Sequence, residues 1–134
     1  MAPGHPAPLW HNNQYAAQIG INNWGDIVGE YEPTPSGFPC YCRGARWHRG
    51  VLTDLGDLGS DGAWSNRPAD VNNRREMVGS STTHDGNSHA CLWRAGTMID
   101  LTTLGLRATD EVVEINSSGQ IVGIRDGRAT LFVR

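Results

Sequence analysis

Ile21-Asn22-Asn23-Trp24-Gly25-Asp26-Ile27-Val28-Gly29 decides the fold, because the chain writes this stretch three times. It returns as Val71-Asn72-Asn73-Arg74-Arg75-Glu76-Met77-Val78-Gly79 and as Ile115-Asn116-Ser117-Ser118-Gly119-Gln120-Ile121-Val122-Gly123. Each copy reads aliphatic, Asn, two turn residues, Gly or a substitute, polar, two aliphatics, Gly. Short apolar runs around an Asn/Gly-rich turn signal a β-hairpin. Copies that start 50 and then 44 residues apart fall in the range of repeat architectures.

A second motif is locked to the first. Arg43-Gly44-Ala45-Arg46-Trp47, His89-Ala90-Cys91-Leu92-Trp93 and Arg128-Ala129-Thr130-Leu131-Phe132 each end on an aromatic suited to packing between layers. Leu55 and Leu101 each follow a Trp by eight residues, the first after Thr53-Asp54 and the second after Ile99-Asp100. Four short strands in 40 to 50 residues make one propeller blade. The expectation is an all-β, propeller-like chain of three four-stranded repeats in a single domain, 1–134. Blade 1 runs over about 16–59, blade 2 over about 66–105, and blade 3 over about 111–134 plus 7–10. The third copy ends at Arg134 before its fourth strand, so Ala7 to Trp10 is expected to supply a permuted outer strand. Leu101 to Arg107 is the one weak helical stretch.

Composition narrows the functions. A net charge of -3 gives no electrostatic footprint for nucleic acid or an anionic membrane. All eleven basic residues are Arg, so Schiff-base chemistry on lysine is excluded. The N-terminus has no signal-peptide pattern, and no apolar run is long enough to span a membrane. Cys40, Cys42 and Cys91 are an odd set, so reduced thiols and a cytoplasmic location are expected. Cys40-Tyr41-Cys42 with His48 or His89 is a weak zinc signal, and neither metal nor cofactor is expected.

These linked blocks resemble the HAF-repeat family of bacterial proteins. Its units run approximately A-x-x-IN-x-x-G-Q-hydrophobic-V-G, then H-A-F-L-W, then G-x-M-x-D-L-G-T-L-G. Ile115 to Gly123 matches the first block, and His89 to Trp93 the second with Cys91 in place of Phe. Asp54-Leu55-Gly56-Asp57-Leu58-Gly59 matches the third. The resemblance covers about residues 9–133 and implies a propeller-like all-β fold. It implies no activity, and the family's extracellular label does not fit a chain this short that shows no secretion signal.

A blade buries its faces only against neighbouring blades, so three leave two apolar faces in water. Two copies related by a two-fold axis would close a six-bladed ring, and the expected partner is therefore a second copy of the chain. The other arrangement of the same strands is a monomeric barrel or sandwich.

The strand before each repeated Asn is expected to be innermost. Alternation places Ile19/Ile21, Ala69/Val71 and Val113/Ile115 on one face, with Gly20, Asp70 and Glu114 towards a central tunnel. Asp70 and Glu114 are the candidate acid/base pair, since carboxylates in a partly dry site can transfer protons. Arg67, Glu111 and Gln18 join them as candidate binding groups. Trp24 and Trp64 interrupt the repeat and suit an apolar ligand, and His89 belongs to a basic set with Arg43 and Arg128. Their simpler roles are solvated ion pairs and edge packing. Asn22, Asn72 and Asn116 are read as turn formers, and Trp47, Trp93 and Phe132 as core.

Three functions fit these residues. The first is a small-molecule-binding ring. The second is an acid/base cyclase, isomerase or dehydratase acting on a mostly apolar, polyketide-like secondary metabolite. The third is a structural interaction module.

Overall fold

The computed structural model describes residues 16–32, 42–59 and 66–133. Over these residues the chain is all-β, with three antiparallel sheets. The first holds β1 (Ala16–Ile21), β2 (Ile27–Tyr31), β3 (Arg43–His48) and β4 (Val51–Asp54) in chain order. The second holds β5 (Asn66–Val71), β6 (Met77–Thr82), β7 (Ser88–Arg94) and β8 (Thr97–Asp100) in the same order. The third holds β9 (Glu111–Ile115), β10 (Ile121–Arg125) and β11 (Arg128–Val133). Each sequence repeat is thus one meander. The strand expected at Ala7 to Trp10 lies outside the described residues.

Tight turns set the strand register. Arg49-Gly50, Ala95-Gly96 and Asp126-Gly127 each place two successive residues at positive φ, from 51° to 80°. Such pairs form type I′ turns, whose twist matches that of the strands they join. Leu101–Leu104, inside the one weak helical stretch, is a 3-10 helix. The Asp100 carboxylate starts it by accepting from the Thr102 amide at 2.9 Å.

The repeated Val-Gly has a steric cause. The register shifts within β1 between Gln18 and Gly20, within β5 between Pro68 and Asp70, and at the β9–β10 pairing opposite Val122 and Gly123. These are β-bulges, which bend the first strand of a sheet onto the second. A Cβ on Gly79 would sit 2.7 Å from the Pro68 Cα, and one on Gly123 would sit 2.9 Å from the Val112 Cα. Only glycine fits beneath the bulge.

The same bulge corrects the expected alternation. In β9, Val112 and Ile115 are buried and Val113 is exposed, so Val113 and Ile115 do not share a buried face. In β1, Ile21 is 65% exposed. One inserted residue reverses the facing of every side chain on one side of it.

The sheets stack in chain order, β5 packing on β1, β2 and β3, and β9 on β5, β6 and β7. Val28 of the first sheet meets Val71, Met77, Cys91 and Trp93 of the second in one core. Val78, Ala90 and Leu92 of the second meet Val112, Ile115 and Ile121 of the third in another. Burial of aliphatic and aromatic side chains at these two seams, each side chain contributing about 1.5–3 kcal/mol, is what holds neighbouring sheets together. Trp47 and Trp93 are buried as expected, and Phe132 is half-buried against the second core. Burial also pushes the Cys91 thiol up to about 12, with the Asp100 charge adding to it.

Cys42 corrects the expectation of three reduced thiols. It is disulfide-bonded, with its partner outside the described residues. Among the described residues no helix is long and apolar enough to cross a membrane, and no cluster of His, Cys, Asp and Glu is arranged to hold a metal ion.

Candidate functional site

The first strands of the three sheets lie beside one another, since β5 packs on both β1 and β9. Between β5 and β9 opens a cleft of about 520 Å³. Arg67 stands on its β5 wall and Glu111 on its β9 wall, while Gly79, Ser80, Ser88 and Ala90 line it from β6 and β7. A volume of this size suits a small molecule, and the walls offer both charges and several hydroxyls.

Each charged wall is anchored. Arg67 Nε contacts Glu30 Oε1 at 2.6 Å, with Glu30 buried and the Arg67 side chain 61% exposed. Asp110, at the foot of β9, accepts from Arg125 Nε at 2.8 Å and from the Arg107 amide at 2.7 Å. The Arg125 hydrogen bond, opposed by desolvation and helped by the Arg107 amide, holds the Asp110 carboxyl down at about 2. Arg125 also lies over the Phe132 ring, 5.4 Å from its centroid, so it is held from two sides.

Of the expected site residues, Arg67 and Glu111 share the cleft, whereas Asp70 and Glu114 do not line it. Asp70 is half-buried beside Gly20, and its Oδ2 accepts from the Ile115 amide at 2.9 Å, tying β5 to β9. Glu114 is exposed beside Val122 and Leu131 of the third sheet. Gln18 pairs through its backbone with Gly29. His89 Nδ1 lies 2.9 Å from Asp100 Oδ2, just as Arg43 Nε lies 2.6 Å from Asp54 Oδ2. The basic residue at or next to the start of the third strand thus pairs with the Asp of the fourth, which accounts for the repeated Asp-Leu. Trp24 is 63% exposed, and its indole N–H donates to the Asn73 carbonyl at 2.8 Å. Trp64 lies outside the described residues.

Sequence reasoning missed Ser80, Ser88 and Thr109 in the cleft. Ser80 aligns with Glu30 and Ile124 in the other repeats, so no repeated type marks the position. No family model, no curated protein and no solved structure matches this chain.

Proposed function

We propose that the chain is a propeller-like, small-molecule-binding protein of the HAF-repeat kind, closed into a six-bladed ring by two copies. The ligand enters the cleft between the second and third blades and is oriented by Arg67 and Glu111. The observation carrying this reading is that a ligand-sized cleft gathers these two side chains of opposite charge from neighbouring first strands.

Support for the ring comes from the two ends of the stack. Val28 and Val78 are fully buried by the following sheet, yet their counterpart Val122 is 39% exposed. Leu92 is 5% exposed and its counterpart Leu131 is 50% exposed. At the other end, Val71 and Ile115 are buried while their counterpart Ile21 is 65% exposed. Both exposed sets are the residues that seat a neighbouring blade inside the chain. Head-to-tail contact between two copies covers both with the geometry the chain already uses, and a two-fold axis closes it.

The test is native mass spectrometry after incubation with a small-molecule extract. Wild-type protein should retain an adduct that Ser80→Trp, which fills the cleft, abolishes and Glu111→Gln weakens, with circular dichroism unchanged. An adduct that survives Ser80→Trp contradicts the cleft as the site.

A further inference from the structure

On the other side of the second sheet, facing the first, lies a cavity of about 430 Å³ whose walls carry Arg46, Arg75 and Arg94 beside Leu55, Met77 and Trp93. Two of these arginines stand where the repeat asks for something else. Arg46 aligns with Leu92 and Leu131, positions that the other copies fill with an apolar side chain. Arg75 aligns with Gly25 and Gly119, and it adopts the left-handed backbone of those glycines at φ 59°. A residue with a Cβ is strained in that conformation, and departures from a repeat's own rule gather where a site is built.

The charges do not balance by themselves. Arg75 Nε reaches Asp26 Oδ2 at 2.8 Å, and Arg94 Nε reaches Glu76 Oε2 at 3.3 Å. Asp54, the carboxylate nearest Arg46 in sequence register, is occupied by Arg43 and by the Tyr31 hydroxyl. Arg46 pairs through its backbone with Thr53 of β4 and is half-buried. It has no hydrogen-bond or ion-pair partner among the described residues. None of its nitrogens is sealed from solvent, so the guanidinium is open to the cavity, where its planar fork can take a bidentate acceptor supplied from outside.

We propose that this cavity binds an amphipathic organic anion, with the carboxylate on Arg46 and an aromatic or alicyclic body against Leu55, Met77 and Trp93. Four arginines, Arg46, Arg74, Arg75 and Arg94, line the cavity against two carboxylates, Asp54 and Glu76, and this excess of positive charge favours an anion over a neutral analogue. This site is separate from the cleft holding Arg67 and Glu111, and occupies the opposite seam of the second sheet.

The experiment is a calorimetric titration with naphthalene carboxylate, with naphthalene methanol and inorganic phosphate as comparisons. Wild type should bind the carboxylate saturably, and Arg46→Leu should weaken it by about tenfold or more, the scale of one charge-assisted hydrogen bond. Leucine occupies this position in both other repeats, so Arg46→Leu keeps the fold, and circular dichroism checks that it does. The alcohol and phosphate should each bind about tenfold more weakly than the carboxylate, one lacking the charge and the other the apolar body. Ser80→Trp should leave the carboxylate affinity unchanged, which separates this site from the cleft. Equal affinity in Arg46→Leu, equal affinity for the alcohol or phosphate, or no saturable carboxylate binding would each overturn the proposal.

Discussion

The Asn22 side chain donates through Nδ2 to the Asn72 carbonyl at 3.0 Å, and Asn72 in turn donates to the Asn116 carbonyl at 2.8 Å. Within its own turn each Asn also accepts two amides through Oδ1: Trp24 and Asp26 for Asn22, Arg74 and Glu76 for Asn72, Ser118 and Gln120 for Asn116. One residue type therefore closes every first turn, and in the first two repeats it also stitches the turn to the next repeat.

Asn72→Ala removes both functions from a buried site, strands the Glu76 amide and leaves the Asn116 carbonyl with the Gly119 amide of its own turn. The expected loss is about 2–4 kcal/mol in chemical denaturation, against less than about 0.5 kcal/mol for Asn23→Ala on the exposed side of the first turn. Equal effects of the two changes would remove the stitching role.

Gly79→Ala and Gly123→Ala place a methyl group against the bulged first strand, where only backbone movement makes room. Each should cost about 2–3 kcal/mol or prevent folding. A variant as stable as wild type would mean that the bulge is not what fixes this glycine.

The turn half of the Asn role was legible in the sequence, since Asn between an aliphatic residue and a Gly-rich turn has little else to do. The stitching half was not, because it joins residues 50 and 44 positions apart, and nothing local marks the acceptor carbonyl. The all-β class and the order of strands within each sheet followed from the repeat. The facing of Val113 did not, because a bulge leaves no mark in apolar alternation apart from the Gly it presses on. Arg67 and Glu111 were found as candidates by their place in the repeat. Arg46 passed unnoticed, although its alignment with Leu92 and Leu131 was the available signal.

Asp110 contributes through Arg125 and should make the protein acid-sensitive in a defined window. Its folded value of about 2 lies below the ordinary aspartate value of 3.8. The stabilisation is thus fully present above about pH 4 and is lost as pH falls towards about 2. The stability difference between wild type and Asp110→Asn should be constant near neutrality and shrink across that window in acid-titrated denaturation curves. A difference independent of pH down to about 2 would contradict the pairing.

Cys91 is buried and its thiol is pushed up to about 12, so it should resist thiol reagents at pH about 8 in the folded protein. After unfolding without reductant, Cys91 alone should titrate, because Cys42 is disulfide-bonded. One thiol fits an oxidising compartment, whereas three would restore the reduced, cytoplasmic expectation.

The ring is the central claim, and light scattering at micromolar concentration tests it most directly. The account predicts a particle of twice the 14.6 kDa chain mass, reduced to a single chain by Leu131→Arg, which puts a charge on the exposed face of the third sheet. Wild-type protein with the mass of one chain would contradict it.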